Sequence, residues 1–236
     1  MSKPERTKPR AILFDLDDTL YPLDRFVLSG FQSVAAVCEA RWNVPRQAAL
    51  DVLTSAFVRV RGRELQVLAE HFRLELGAVP VLVDVIRTHV PDLHPPELAV
   101  SVLRTLAAGW KVGIVTNGRP DIQRRKMLAL GLARAVDTVV YANEHGSGVG
   151  KPEAAAFLAA CRALDVAPSA TVFVGDDPVT DIAGAHAVGM KTIWLPSRLD
   201  AASPAAAIAD VLVASLADVP AAAARLILPD WRAHVA

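Results

Sequence analysis

The 236-residue chain has only two cysteines, Cys38 and Cys161, which leaves no basis for a disulfide framework or a cysteine-built zinc site. Its six histidines are scattered and show no metal-ligand spacing. An excess of either charge is missing as well. Lys plus Arg and Asp plus Glu number 25 each, so the formal net charge is zero. With no Lys/Arg-rich run either, the basic footprint of a nucleic-acid partner is absent. No apolar stretch approaches the roughly 18 residues that a membrane helix needs. Residues 1–10 carry charges and prolines but no long apolar segment and no cleavage site, so export is not expected. These absences point to a cytoplasmic protein that takes neither nucleic acid nor membrane as partner; monomer and homodimer are both ordinary outcomes for it.

What the chain does have is apolar bulk: 53% of its residues are hydrophobic against 21% charged, too apolar for disorder and long enough for a sizeable core. Four short runs rich in Val or Ile, at 11–14, 111–115, 170–174 and 191–195, read as buried strands, each ending at a polar cluster or a breaker. Residues 137–141 make a fifth and 210–213 a weaker sixth. Helical patterns lie between them. One opens at Pro120 and stops at Gly131, one opens at Pro152 with Phe157, Cys161 and Leu164 at helical spacing, and one runs from Ile182 to Val188 and stops at Gly189. Strands alternating with helices imply right-handed crossovers and a doubly wound parallel α/β sheet. Residues 23–94 break the alternation. They hold amphipathic helical faces (Val27, Phe31, Val34, Cys38; Leu50, Leu53, Phe57, Val60; Leu65, Leu68, Phe72) and read as an all-helical insert after the first strand. The expected domains are therefore 1–22 with 95–236, and 23–94. Residues 201–207 form an Ala-rich patch that reads as a surface excursion, and Trp42, Trp110, Trp194 and Trp231 read as core or partly buried.

In a doubly wound sheet ligands bind at the carboxyl ends of the strands. Polar residues collect there: Asp15, Asp17 and Asp18 after one strand, Thr116 and Asn117 after another, Asp176 and Asp177 after a third, with Asp181 close behind. Lys151 precedes the helix that leads into the third of these strands. Taken singly, each has a plain structural explanation as an N-cap, a turn former or a helix-dipole partner. Taken together, at matching positions of one sheet, they describe a site. Carboxylates converging without histidine or cysteine suit a hard cation, and Mg2+ above all when phosphate and water complete the shell. A lysine and a threonine hydroxyl beside them can hold phosphate oxygens that the carboxylates alone would repel. The run Gly146-Ser-Gly-Val-Gly-Lys151 imitates a P-loop but is not one, because His145 stands where its first Gly belongs and Pro152 where its Ser or Thr belongs. No dinucleotide fingerprint and no Gly-x-Ser-x-Gly elbow occurs.

With these residues in view, the sequence resembles the haloacid dehalogenase superfamily of phosphohydrolases. Residues 14–20, Phe-Asp-Leu-Asp-Asp-Thr-Leu, are similar to its first motif, Asp-x-Asp-x-Thr. Val115-Thr-Asn-Gly118 is similar to the second, Gly150-Lys-Pro152 to the third, and residues 175–181, Gly-Asp-Asp-Pro-Val-Thr-Asp, to the fourth. The helical insert resembles the family's C1-type cap, which would select the substrate. The resemblance implies Asp15 as nucleophile and Asp17 as general acid and then base. It implies Mg2+ on the Asp15 carboxylate, the Asp17 backbone carbonyl and Asp176, and phosphate binding by Thr116, Asn117 and Lys151. Asp177 and Asp181 would orient ligands or Lys151. The expected activity is hydrolysis of a small cytosolic phosphate monoester, the partner being a small phosphorylated metabolite. A phosphomutase of the same family is an alternative, though Asp18-Thr19 stands where hexose mutases usually carry Gly-Val. A receiver-type phospho-signalling module is another, set against it by the chain length and the helical insert. Arg59, Arg61 and Arg63 in the insert read as a solvated helix end that could also meet an anionic substrate. Tyr21, directly after the first motif, could line the entrance or pack the hinge.

Overall fold

A computed structural model describes residues 10–197 and 208–227, so Trp231 and the 201–207 patch lie outside the described residues. The chain opens with β1 (Ala11–Phe14), followed by four helices: α1 (Leu23–Trp42), α2 (Arg46–Arg59), α3 (Glu64–His71) and α4 (Ala78–Thr88). There follow α5 (Glu97–Ala107), β2 (Lys111–Thr116), α6 (Pro120–Leu130), β3 (Thr138–Tyr141), α7 (Ala154–Leu164) and β4 (Thr171–Gly175). A wide π-type turn over Pro178–Ala183 then leads into α8 (Gly184–Ala187), β5 (Lys191–Trp194), β6 (Val211–Leu212) and α9 (Val219–Ile227). Two compact units result, Met1–Pro22 with His94–Ala236, and Leu23–Leu93. No helix among the described residues is long and apolar enough to cross a membrane.

In the first unit the strands order as β3-β2-β1-β4-β5-β6, all parallel. All four residues of β1 are fully buried, as the uninterrupted apolar run of a strand covered on both faces requires. Alternation along the strand sends Ala11 and Leu13 into a core with Val115, Phe157 of α7 and Phe173 of β4. The Phe157 and Phe173 rings meet edge to face, with centroids 5.0 Å apart. Helix α7 packs on β1, β2 and β3, while α5 and α9 cover the other face over β2, β4 and β5. The doubly wound parallel fold expected from the alternation is therefore present, and its six strands lie within two residues of the expected ones.

Helix α6 runs from Pro120 to Leu130 as its punctuation dictates. Two other starts differ from expectation. Helix α7 begins at Ala154 rather than Pro152, because Pro152 belongs to the turn that carries Lys151 into the site. The segment expected over 182–188 starts earlier, at Pro178. There the Asp177 side chain caps the turn by accepting from the Val179 and Thr180 amides. Trp194 is buried, and Trp42 and Trp110 are partly so.

The second unit, Leu23–Leu93, has its own core of Phe31, Val34, Cys38, Leu53, Leu68 and Leu82, with Phe31 and Phe57 edge to face at 5.8 Å. Val60 lies past the end of α2 and is exposed, so it is not part of the face expected for it. Helix α4 carries no clean sequence signature, being rich in valine with Pro80 inside. The proline falls in the first turn, where its missing N–H costs nothing.

The burial of β1 predicts a steep cost for truncation at its centre. Leu13→Ala should lose about 2–5 kcal/mol, whereas Leu128→Ala, at an 82% exposed position of α6, should stay within about 0.5 kcal/mol. Urea unfolding followed by tryptophan fluorescence measures both, and equal midpoints would contradict the central position of β1.

Candidate active site

The chain steps outward from β1 through β2 to β3 and then returns to β4 on the other side, which opens a crevice at the carboxyl ends of β1 and β4. A cavity of about 240 Å³ lies there, lined by Asp15, Asp17, Asn117, Lys151, Asp176 and Asp181 among others. Asp15 directly follows β1, and its amide donates to Val174 O at 2.9 Å, so the sheet's own pairing fixes the backbone of the carboxylate. Lys151 Nζ, itself buried, donates to Asp15 Oδ1 at 2.5 Å and to Asp181 Oδ1 at 2.6 Å. It also stands 5.4 Å from the centroid of the Phe173 ring. Burial alone would push the Lys151 ammonium down, but Asp15 and Asp181 outweigh it and raise it above its ordinary value. Burial raises the Asp15 carboxyl well above the usual carboxylate range; Lys151 opposes the rise, and Asp181 and Asp17 add to it.

Two glycines make this packing possible. A Cβ on Gly175 would collide with the Asp181 carboxylate, so only glycine lets β4 end against it. Gly150 sits at φ +86°, and a Cβ there would stand 2.7 Å from Asn117 Oδ1. That oxygen accepts from the Lys151 amide at 2.7 Å, while Asn117 Nδ2 donates to Lys151 O at 2.9 Å. The Asn117 side chain therefore clamps the backbone of Lys151, and only its main chain is left for the phosphate contact expected of it. Thr116 ends β2, buried, with its hydroxyl accepting from Gln123 Nε2 at 2.6 Å. Asp177 is an N-cap, its Oδ1 holding the Val179 and Thr180 amides at 2.8 and 2.7 Å. Asp181 orients Lys151 and also accepts from the Asp177 amide at 3.1 Å. In the helical unit, Arg61 pairs with Asp24 and lies over Phe57, Arg63 approaches Glu70 at 3.9 Å, and Arg59 lines an open groove with Gln32 and Leu50.

Asp17 faces a different set of partners. Lys126 Nζ lies 2.8 Å from both of its oxygens, Gln123 Nε2 donates to Oδ2 at 2.8 Å, and Tyr21 Oη donates to Oδ1 at 2.5 Å. Burial, and then the Asp17 charge, raise the Tyr21 phenol far above its ordinary value, so it remains a donor. Taken singly, Gln123 and Lys126 carry no site signal, because a glutamine and a lysine on a charged helix look solvated. A signal was nevertheless there: with Met127 and Leu130 they fall at i, i+3, i+4 and i+7, the stripe that α6 buries.

Residues 9–189 match the family model of haloacid dehalogenase-like hydrolases. The chain belongs to this family. It is 34% identical over 124 residues to the phosphoserine phosphatase of Thermus thermophilus, a match covering 52% of this chain and 49% of the relative, about half the latter's length. It is 33% identical over 206 residues to the glyceraldehyde 3-phosphate phosphatase of Methanopyrus kandleri, covering 78% of this chain and 82% of that one. Among solved structures, a magnesium-bound HAD-hydrolase from Bacillus subtilis superposes with a TM-score of 0.64 at 16% identity. That superposition covers 94% of this chain and 100% of the other, a likeness of fold.

The residues of this haloacid dehalogenase-like hydrolase fit a divalent cation. One oxygen each of Asp15, Asp176 and Asp181 lie within 4.8 Å of one another, a donor set of hard oxygens alone. Against three carboxylates the cavity sets one paired ammonium, that of Lys151, so negative charge is in surplus. Burial and then Asp181 push the Asp176 carboxyl up to about 6. A divalent cation would take up that surplus.

The Asp176 shift has a defined sign for the metal-free hydrolase. Between pH 3.8, the ordinary value, and about 6 the folded chain keeps a proton that the unfolded chain has released. Stability through this group is therefore greatest below 3.8 and lost as the pH rises through 6. In EDTA, Asp176→Asn should flatten the fall in unfolding midpoint between pH 4 and 7, and Mg2+ at pH 7 should stabilise the wild type more than the variant. Parallel pH curves for the two proteins would refute the assignment of the shift to Asp176.

Proposed function

We propose that this hydrolase is a magnesium-dependent phosphatase that cleaves a small phosphate monoester through an aspartyl-phosphate on Asp15. The observation that carries the reading is the position of Asp15: buried at the end of the central strand, against the Lys151 ammonium at 2.5 Å, in a cavity with Asp17, Asp176 and Asp181. A carboxylate so placed is a nucleophile that splits one difficult displacement into two. The names of the relatives, both phosphatases of small phosphate monoesters, support the same chemistry.

In the first half-reaction an Asp15 oxygen attacks phosphorus, the bond from phosphorus to the ester oxygen breaks, and the Asp17 carboxyl gives its proton to the departing oxygen. In the second, Asp17 takes a proton from water as that water attacks the aspartyl-phosphate. The bond from phosphorus to Asp15 breaks, and inorganic phosphate and the two carboxyl groups in their starting states are returned. Lys151, the Thr116 hydroxyl and the Asn117 main chain hold the phosphoryl oxygens, and Asp181 keeps Lys151 charged and aimed. The Asp15 carboxylate, the Asp17 carbonyl and Asp176 would hold Mg2+, with Asp181 adjacent; when bound, the ion screens the carboxylates from the incoming dianion. The helical unit Leu23–Leu93 takes the part of a C1-type cap that selects the phosphorylated metabolite, in a cytoplasmic enzyme.

The two aspartates of the β1 loop separate the steps. Asp15→Asn should drop turnover to background. Asp17→Asn should lose roughly 10²–10⁴-fold in rate yet still accept a phosphoryl group from acetyl phosphate, whose leaving group needs little protonation. Mass spectrometry of acid-quenched protein should find phosphate on the Asp15 peptide of Asp17→Asn and none on Asp15→Asn. Full activity in Asp15→Asn would sink the covalent mechanism.

A further inference from the structure

Helix α6 buries a stripe of Gln123, Lys126, Met127 and Leu130, of which only the last two are apolar. Burying an amide and an ammonium is costly; the ammonium and the Gln123 Nε2 are partnered while the Gln123 Oε1 is buried without a partner, and a helix that needed only anchorage would use hydrophobic residues there. Both polar side chains converge on one group. Lys126 Nζ touches Asp17 Oδ1 and Oδ2 at 2.8 Å each, and Gln123 Nε2 touches Oδ2 at 2.8 Å. Tyr21 donates to Oδ1 as well, so one of these donors gives way when the carboxyl carries its proton. Contact to both oxygens from one ammonium fixes the rotation of the carboxylate about its own axis, which a single donor would leave free. Gln123 Nε2 also lies 2.6 Å from Thr116 Oγ1 and from Asn117 O, so its two hydrogens are shared between Asp17 and the loop after β2.

We propose that Lys126 and Gln123 are positioning residues that set the Asp17 carboxyl against the leaving-group oxygen and index it to the phosphate-holding end of β2. The assignment rests on the reading of Asp17 as the acid and base of the reaction. Neither residue touches the phosphoryl group; Lys126 acts through Asp17, and Gln123 through Asp17 and through Thr116 and Asn117. Loss of Lys126 therefore affects the steps in which Asp17 moves a proton and spares the attack of Asp15 on a substrate that departs unaided, whereas loss of Gln123 also loosens the phosphate-holding loop and slows both donors, the alkyl phosphate more.

Rapid-quench measurement of phosphoenzyme formation with Mg2+ tests this, using acetyl phosphate and an alkyl phosphate that the wild type turns over. For Lys126→Met the rate ratio of alkyl to acetyl phosphate should fall about 10²-fold, the scale of a displaced catalytic group. Gln123→Met should fall in the same direction, and Lys126→Arg should recover part of the loss. Labelling from acetyl phosphate shows in the same experiment that each variant is folded. In the Asp17→Asn background, Lys126→Met should have little further effect. For Lys126→Met, equal slowing with both phosphate donors, or full additivity with Asp17→Asn, would overturn the assignment. If Asp17→Asn itself leaves the ratio unchanged, the acid–base reading fails and the assignment falls with it. If Asp17→Asn shows the drop and Lys126→Met does not, the assignment alone is overturned.

Discussion

The buried contact of Lys151 with Asp15 and Asp181, at 2.5 and 2.6 Å, sets the terms for everything around it. An ammonium taken out of water survives only where carboxylates replace its hydration, and removing one partner of such a set typically costs about 3–5 kcal/mol. The fold supplies those partners from different strand ends, Asp15 from β1 and Asp181 from the turn after β4. It then ties the lysine's own backbone to the loop after β2 through Asn117. Three loops that are distant in sequence thus become one rigid object because a single charge must be satisfied.

That satisfaction is incomplete by charge. Asp15, Asp176 and Asp181 crowd within 4.8 Å, and one ammonium does not neutralise three carboxylates. The raised Asp15 and Asp176 carboxyls express the surplus. A site built for stability would replace one of these acids with an amide or a hydrophobic residue. Retaining them is the kind of local conflict that marks function, since the surplus is what a cation and a phosphoryl group held by Lys151 and Thr116 would resolve.

Much of the fold is legible in the chain because its signals are local. The β1 run, Ala-Ile-Leu-Phe, is wholly apolar and ends at an aspartate, and α6 runs from a proline to a glycine. Parallel topology then sends each strand-end residue to one edge of the sheet, so the meeting of Asp15, Asp176 and Lys151 follows from the alternation itself. Helix α4 is harder to read, because its valines suit a strand as well as a helix and Pro80 looks like a breaker until its place in the first turn is known. The true start of α7 is hidden for the opposite reason, a proline that looks like a helix opener. In the site, residue type says little about the job. Asp177 and Asp181 lie four residues apart on one turn, yet the first caps backbone amides and the second holds an ammonium. Only the direction of each side chain separates them, and no periodicity encodes it.

The same point explains why two aspartates two residues apart can differ in chemistry. After Phe14 the chain leaves the strand: Asp18 takes φ 58°, and the Leu20 amide donates to Leu16 O at 3.0 Å, a tight turn. The turn points Asp15 at Lys151, which comes from the segment before α7, and Asp17 at Lys126 on α6. Each carboxylate thus has its own ammonium on a separate element, and each ammonium is buried. Neither lysine can serve the other acid without unpairing its own, so the two carboxyl groups are held apart in environment although they are adjacent in sequence. The proposed division of labour between a nucleophile and a proton carrier needs such separate environments, because two like acids in one field would share one proton and one role.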